Sequence, residues 1–415
     1  MGEEEPKRVE FQYGVVLVRT QRFQALLDRL GRVRTTKPLS WVLLALMPIA
    51  GIIVLYLYLL VLLALFSPRG AAVASAIRTI SPLANIGIPG INPYIPVFYG
   101  LVALIVGVVL HEGAHGVFAR AFGIRVKSAG LLFILFIPIG AFVDVDEKEM
   151  EAAKPSHSGR ILAGGAGVNF VVAVVSLLLL IATVNAMVPA ASGAAIVNVN
   201  PGAPAYNAGV RPGDIITQVN GQNVTDLNQV LGPTTKFTAG QSLNLTVYRN
   251  GQFLAIKNVT LACCDEIINT TTSQVIATYP YIGVSELTHD DLVSIAAQYA
   301  STSTLVQFLW IPTFPTFQQH IPYSDALSSF YTSPLGPLTS VVANLLFWIF
   351  FLNLNLAGFN ALPIFPLDGG QTYRVAVKAL SKGRLSDEAV MRITVATTFI
   401  VLAVLLIVIL GPWLI

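Results

Sequence analysis

The sequence predicts a multi-pass α-helical membrane protein with about five transmembrane helices, a re-entrant β-hairpin and an inserted β-rich extracytoplasmic domain. Three observations lead to this fold class. Of the 415 residues, 54% are hydrophobic and 11% are charged, against about 25% charged in soluble domains. Several apolar stretches reach the length of about 20 residues that crosses a bilayer. One long segment, 189–335, instead alternates short apolar runs with Pro, Gly and Asn turns.

Four apolar stretches have the length and composition of transmembrane helices: 41–66, 95–122, 160–188 and 389–411. A fifth stretch, 336–361, is more polar and carries Asn344, Asn353, Asn355 and Asn360. Its other residues are too apolar for a surface loop. We therefore expect this fifth helix to face other helices rather than lipid.

The distribution of basic residues predicts the orientation in the membrane. Eight Lys and Arg precede the first span, six lie in 120–160 and five in 374–392, whereas two lie in 67–94 and four in 189–335. Because basic residues concentrate in cytoplasmic loops, the N-terminal segment 1–40 is expected in the cytoplasm. The 189–335 segment is then extracytoplasmic in a protein of the cell membrane. The net charge of +3 gives no indication of nucleic-acid binding.

Residues 194–287 of the external segment predict a compact β domain. Its first part, GAAIVNVNPGAPAYNAGVRPGDIITQVNGQNV, alternates apolar runs with turn residues. Two later strands flank Arg249-Asn250-Gly251, and Asn-Gly is a signal for a hairpin turn. Residues 288–335, rich in aromatic residues and proline, are expected to form a connector on the outer membrane surface.

Two of the five histidines lie inside the apolar run GVVLHEGAHGVF at 107–118. On a helix, His111 and His115 project from one face one turn apart, with Glu112 beside them. Two neutral imidazoles can hold zinc, and the carboxylate can take a proton from water that zinc acidifies. The alternative is a chance pattern in which the histidines make polar contacts between helices. A buried glutamate without a partner is costly, which favours zinc.

Zinc needs a third protein ligand, and several residues are candidates. The extended pattern HExxHxxGxxH is absent, because Phe118 and Ala121 stand at its Gly and His positions. The other histidines are expected in loops or outside the membrane, as surface residues: His157, His289 and His320. The acidic candidates are Asp144, Asp146, Glu147, Glu149, Glu151 and Asp368.

Asp368 differs from the other acids in its surroundings. The first five belong to the charged stretch VDVDEKEMEAA, which is more simply a solvated loop. Asp368 follows two prolines that break a membrane segment, in FNALPIFPLDGGQTYR. A broken helix at membrane depth is tolerated where it is buried in protein or lines a cavity. Asp368 is therefore the best third ligand, and Asp144 and Asp146 remain the alternatives.

The two motifs together resemble those of the site-2 protease family of intramembrane zinc metalloproteases. Residues 111–115 match its HExxH motif, and the match to its NxxPxxPxDG motif consists of Asn360, Pro363, Pro366, Asp368 and Gly369. The resemblance covers roughly residues 95–411. It implies one zinc ion per chain, ligated by His111, His115 and Asp368. Glu112 is then the general base and acid.

Other features extend the resemblance. A Gly-x-x-x-Asn of the family is matched by Gly165 and Asn169. By resemblance, Asn169 and Asn360 bind the substrate backbone or the developing oxyanion, although small-residue helix packing explains the glycines equally well. The domain at 194–287 resembles a PDZ domain. It is inserted between two catalytic membrane halves, 95–188 and 336–415, and the first helix, 41–66, lies outside this core.

The resemblance implies regulated intramembrane proteolysis, in which the enzyme hydrolyses a peptide bond within the transmembrane segment of a membrane-anchored protein. The alternatives are a catalytically silent zinc-binding protein that holds substrates in the lipid bilayer, and a metal transporter. The intact Glu112 argues against the first, and the lack of a visible repeat argues against the second. A weaker alternative gives the main function to the external domain.

The stretch SAGLLFILFIPIGAFVDVD, at 128–146, is too short for a span and contains Pro138 and Gly140 at its bend. We expect a re-entrant β-hairpin here. A substrate helix must unwind before its peptide bond reaches the zinc, and a strand edge can pair with the exposed backbone groups. The hairpin is therefore a candidate substrate-binding element.

Overall fold

The computed structural model describes residues 9–12, 15–85, 87–134, 137–232, 237–268, 275–300 and 321–414. The chain divides into two compact units. Unit 1 comprises Met1–Leu178 and Leu345–Ile415, and unit 2 comprises Leu179–Asn344. Part of the expected connector, 301–320, lies outside the described residues, and so does His320.

The chain up to the third long helix contains the elements β1 (Val9–Gln12), β2 (Val15–Arg19), α1 (Gln21–Gly31), α2 (Thr36–Leu65), α3 (Gly70–Arg78), α4 (Val97–Ala121), β3 (Val126–Ile134), β4 (Ile137–Val145), α5 (Glu147–Ala152) and α6 (Pro155–Asn185).

The central part contains β5 (Val188–Pro189), β6 (Ala194–Val199), α7 (Pro204–Asn207), β7 (Ile215–Val219), β8 (Gln222–Asn223), α8 (Asn228–Leu231), β9 (Ser242–Arg249), β10 (Gln252–Thr260), β11 (Ala262–Ile268), β12 (Val275–Tyr281), β13 (Val284–Leu287), α9 (His289–Ala300) and β14 (Tyr331–Thr332). The last part contains α10 (Thr339–Ala361), α11 (Asp368–Leu380) and α12 (Asp387–Leu410).

Among the described residues, five helices are long and apolar enough to cross a membrane: α2, α4, α6, α10 and α12. The five stretches expected from the sequence agree with these helices to within about five residues at each end. Half of the apolar window of α10 is buried, a larger share than in the other four. This burial agrees with the expectation that the asparagine-rich helix faces protein.

The stretch expected to form a re-entrant hairpin contains the antiparallel strands β3 and β4, which belong to a larger sheet. Four antiparallel strands lie in the order β1-β2-β3-β4. The β2 strand pairs along β3 from Val15 opposite Ile134 to Arg19 opposite Gly130. The N-terminal segment 1–40 therefore contributes two strands that the sequence did not indicate, and the β3 edge is not open to a substrate. Residues 135–136, at the hairpin tip, lie outside the described residues.

The α1 helix attaches the N-terminal segment to the helix that carries HEGAH. Asp28 forms an ion pair with Arg120 of α4 at 2.9 Å. Leu27 is buried at 1% exposure in a core with Ala114 and Phe118 of α4. A Cβ on Gly116 would lie 2.6 Å from Leu27 Cδ1, so glycine at this position permits the close approach of the two helices. Residues outside the predicted catalytic core therefore help to hold it.

Unit 2 contains a sheet with the strand order β10-β9-β7-β6-β13, and β8 pairs with β7. The predicted hairpin at Asn250-Gly251 is confirmed, because φ is +50° and +85° at these residues between paired β9 and β10. The core contains Ile196, Ile216, Val247 and other apolar residues with little or no exposure. Buried Asp214 pairs with Arg249 through two short bonds, at 2.6 and 2.7 Å.

Two of the histidines expected in loops or outside the membrane lie at the starts of helices. His157 lies in the first turn of α6, where its ring stacks on Phe122 at a centroid distance of 4.5 Å. His289 begins α9 and is half-buried. The reason in both cases is that the helix starts before the apolar run does, so polar first-turn residues resemble a loop in the sequence.

Candidate metal centre

The two histidines of HEGAH lie one turn apart on α4 and face the same point. Both are buried, at 8% and 9% exposure. His111 Nε2 lies 3.0 Å and His115 Nε2 lies 3.2 Å from Asp368 Oδ2. Ligands bound tetrahedrally at about 2.0 Å lie about 3.3 Å apart. The structure therefore brings these three side chains to the spacing of ligands around one ion, and no other such group occurs among the described residues.

Asp368 reaches this point because the chain breaks between α10 and α11. The first helix ends at Ala361, and the second begins at Asp368 itself. The following glycines let the start of α11 pack against the preceding loop. A Cβ on Gly369 would lie 2.2 Å from Leu362 O, and one on Gly370 would lie 2.4 Å from Phe365 N. The Asp-Gly-Gly sequence therefore has a structural reason. Asp368 supplies the carboxylate, and the next two positions lie too close to backbone atoms to carry a side chain.

The Nδ1 atoms of both imidazoles have hydrogen-bond partners, so that their Nε2 atoms can bind a metal. His115 Nδ1 lies 2.8 Å from Ile161 O, to which its proton can be donated. His111 Nδ1 lies 3.2 Å from the amide of Asn169, which has no exposed surface. Asn169 Oδ1 is buried without a partner among the described residues. Turning this amide by 180° lets Oδ1 accept the His111 Nδ1 proton, the arrangement expected when Nε2 binds a metal.

Gly165 of α6 forms the floor of the site. A Cβ at this position would lie 2.5 Å from His115 Nε2 and 2.6 Å from His111 Nε2. Real Cβ atoms do not approach other atoms so closely. A side chain at 165 would therefore occupy the space in which the two Nε2 atoms would bind a metal ion.

Glu112 is half-buried beside the three converging side chains and is fixed through one oxygen. The backbone N–H of Val143 in β4 donates to Glu112 Oε2 at 3.1 Å. The other oxygen, Oε1, has no hydrogen bond among the described residues. A carboxylate held in this way can exchange a proton through Oε1 without losing its position.

The remaining candidates lie elsewhere. Asn360 donates its amide to Leu356 O, one turn back in its own helix, at 3.0 Å. In the acidic stretch, Asp144 is exposed and Asp146 caps α5 by accepting from Lys148 and Glu149. Asp146 also pairs with Lys127 at 3.4 Å, and these bonds lower its pKa. The sequence did not indicate the contributions of the Val143 N–H and the Ile161 carbonyl, since backbone groups leave no signal in residue types.

The chain matches a known protein family. The model of peptidase family M50 matches residues 99–405. A candidate zinc metalloprotease of Nostoc is 25% identical over 324 residues, covering 68% of this chain and 86% of that protein. Zinc metalloprotease RasP of Oceanobacillus iheyensis is 26% identical over 195 residues, covering 46% of this chain and 44% of its own length.

An uncharacterized protein of Methanocaldococcus jannaschii is 30% identical over 167 residues, which cover 40% of this chain and 43% of that protein. The chain thus spans less than half the length of two of these relatives and most of the third. The family match covers well over half of the chain and includes the metal-centre residues on α4, α6 and α11. The chain belongs to peptidase family M50, the site-2 protease family.

Proposed function

We propose that this protein is an intramembrane zinc metalloprotease that hydrolyses a peptide bond within the transmembrane segment of membrane-anchored substrates. The observation that carries the proposal is the convergence of His111, His115 and Asp368 on apolar helices, with Glu112 alongside. Two imidazoles and one carboxylate form a catalytic ligand set, which leaves a fourth position open. One zinc ion per chain follows from this single site.

The chemistry divides between the metal and the chain. When bound, zinc polarises the scissile carbonyl and acidifies the attacking water. Glu112 Oε1 takes a proton from this water and delivers it to the leaving amine nitrogen. The Val143 N–H holds Oε2 during both transfers. Asn169 lies 3.2 Å from His111 Nδ1, which supports a role as a positioning residue for the His111 ring, and a place in an oxyanion hole is the alternative.

The orientation of the proposed enzyme follows from the basic loops, with a cytoplasmic N-terminus and unit 2 outside. His111 lies 14 residues after Val97, the first residue of α4, which corresponds to about 21 Å of helix. Arg120, Arg125 and Lys127 follow on the cytoplasmic side. The zinc is then in the inner half of the bilayer, and the cut falls nearer the cytoplasmic end of the substrate's span.

We propose that the substrate pairs with β4 rather than with β3. The β3 edge is occupied by β2. The β4 strand is the last in the sheet order, and its Val143 N–H points away from β3 toward Glu112. In a regular strand the backbone groups of Ala141 point the same way. An unwound substrate segment laid along this edge would have its backbone groups paired close to Glu112.

We propose that residues 194–287 form a PDZ-like domain that selects substrates. The predicted binding region around Gly202–Gly213 suits a peptide terminus or an edge strand, and a steric filter against bulky ectodomains is at least as strong a candidate. Removing residues 194–287 should leave zinc content unchanged and broaden cleavage. A truncated protein that stays folded, binds zinc and cuts nothing would show that the domain does more than filter.

The experiment that tests the proposed function is co-expression with a library of single-span membrane proteins, followed by mass spectrometry of the fragments. We expect new termini inside the spans, toward their cytoplasmic ends. Glu112→Gln should abolish them, while Glu147→Gln, at an exposed acid in α5, serves as the matched control. Termini that lie only in extramembrane loops would contradict intramembrane proteolysis, and their persistence in Glu112→Gln would contradict the role of this residue.

A further inference from the structure

A cluster of basic side chains surrounds one aromatic ring where α2, α4 and α6 meet. The ring is Phe122, directly after α4. Arg160 Cζ lies 4.4 Å from its centroid, and Lys37 Nζ lies 5.9 Å away. The His157 imidazole stacks on the same ring at 4.5 Å. This group, with Lys154, is called the Phe122 cluster below.

The described residues supply no counter-charge to the cluster. Within the described part of the chain, Lys37, Lys154, His157 and Arg160 form no ion pair. The charged groups that act on the His157 ring are Arg160, Lys154 and Lys37, all of them basic. The N-terminus of α6 lies among them and adds partial positive charge. With no acid beside them in the described part of the chain, these four basic groups repel one another unless an anion binds.

The burial of Arg160 is the strongest argument that the cluster binds an anion. The residue is only 7% exposed, and a buried charge is normally paired. Its Nε donates to Ser156 O at 2.8 Å. The guanidinium contacts Phe122 and also Trp41, whose ring centroid is 4.5 Å from Cζ. Its terminal NH₂ groups have no hydrogen-bond partner among the described residues.

The surface next to the cluster is apolar and faces outward. Trp41 is 52% exposed, and on the same helix Leu39 is 49% and Val42 is 52% exposed. These residues begin the apolar span of α2, so a ligand that contacts them and the cluster has an anionic head joined to hydrocarbon. A free phosphate ion would use only half of this surface. Trp side chains commonly lie at this depth, between headgroups and acyl chains.

We propose that the Phe122 cluster binds the phosphate of an anionic phospholipid, with the acyl chains along Leu39, Trp41 and Val42. The lipid phosphate pairs with the Arg160 NH₂ groups and with the Lys37 and Lys154 ammonium groups. His157 adds a donor when protonated. Because α4 and α6 also carry the metal centre, the lipid would join the cytoplasmic ends of the two helices that hold His111, His115 and Gly165.

The test measures lipid binding to the full-length protein in detergent by native mass spectrometry, with dioctanoyl phosphatidylglycerol and dioctanoyl phosphatidylcholine as probes. Lys37 and Lys154 are both exposed, so Lys37→Gln with Lys154→Gln should leave the fold intact. The loss of about fivefold in affinity per removed basic group gives roughly 25-fold weaker phosphatidylglycerol binding in the double variant. Wild-type protein should bind phosphatidylglycerol at least about tenfold more tightly than phosphatidylcholine.

The matched control is Arg384→Gln with Arg392→Gln, which removes two exposed basic groups from the other basic segment, 374–392, one before α12 and one in its first turns. Its phosphatidylglycerol affinity should stay within about twofold of wild type. Equal weakening in the two double variants would overturn the proposal in favour of general surface charge. Equal affinity for the two lipids would overturn it as well. Displacement of the lipid by inorganic phosphate at equal concentration would overturn the lipid assignment. The assay needs no proteolysis, so its outcome is independent of the proposed enzyme activity.

Discussion

The backbone N–H of Val143 donates a hydrogen bond to Glu112 Oε2 over 3.1 Å. This bond connects the edge strand β4 to the carboxylate between the two histidines. Leu27 of α1 packs over the same place, since both Leu27 and Val143 lie against Gly116. The N-terminal strands, α1 and the hairpin thus form one support for the proposed general base.

The first prediction concerns this donor. Val143→Pro removes the N–H, whereas Val143→Ala keeps it. We expect the proline variant to lose cleavage by at least about tenfold with zinc content unchanged, because Glu112 loses the bond that fixes it. The alanine variant should retain most activity. Metal analysis and a cleavage assay on the same preparations check this, and equal activity in both variants would show that the bond is not needed.

The second prediction concerns the floor of the site. Gly165→Ala places a methyl group where the two Nε2 atoms meet, so zinc content and activity should fall together. Gly159→Ala is the control, since it lies on the same helix with nothing within 4 Å of the added Cβ. Inductively coupled plasma mass spectrometry gives the metal content. A Gly165→Ala protein that is fully loaded with zinc would show that the ion binds at another site.

The third prediction separates two roles for Asn169. If it orients His111, Asn169→Leu should lower zinc affinity by about 10- to 100-fold, and Asn169→Asp should restore it, because a carboxylate accepts the Nδ1 proton. If it instead binds the oxyanion, kcat should fall with zinc affinity unchanged. Competition with a zinc chelator, alongside steady-state kinetics, distinguishes these outcomes.

The fourth prediction concerns Glu286 in β13, whose burial raises its pKa to about 7, although two bonds from Leu227 N–H act in the opposite direction. Between about pH 4.5 and 7 the folded state then binds more protons than the unfolded state. The stability of the β domain should therefore fall as pH rises through this window and level off above it.

Hydrogen exchange of the peptide covering β13, corrected for intrinsic rates, measures this loss of stability. Glu286→Gln should flatten the pH dependence while preserving protection at pH 5. If the variant shows the same pH dependence as wild type, another titratable group causes it.

The sequence indicated which three side chains converge, because its signals there are local or strongly chemical. Helical spacing places His111 and His115 on one face, and two prolines mark the break that presents Asp368. The five long apolar helices follow from apolar length, with boundaries displaced where polar first turns resemble loops, as at His157. The hairpin turn at Asn250-Gly251 follows from turn chemistry.

The missed features depend on pairing between distant segments. The strand β2 is five residues long and pairs with β3 more than 110 residues later, and no periodicity in so short a stretch specifies its partner. The bond from Val143 to Glu112 uses a backbone group, so its residue type carries no information. Asn169 was identified, but which of its neighbours it contacts depends on the packing of α4 against α6.

The most direct test of the central claim measures zinc content and cleavage in Glu112→Gln and Asp368→Ala proteins purified side by side. We expect Glu112→Gln to retain about one zinc per chain and lose cleavage, because the ligands remain while the proton carrier is gone. Asp368→Ala should lose zinc and cleavage together. Full cleavage by Glu112→Gln, or undiminished zinc and activity in Asp368→Ala, would contradict the account and return Asp144 and Asp146 as candidate ligands.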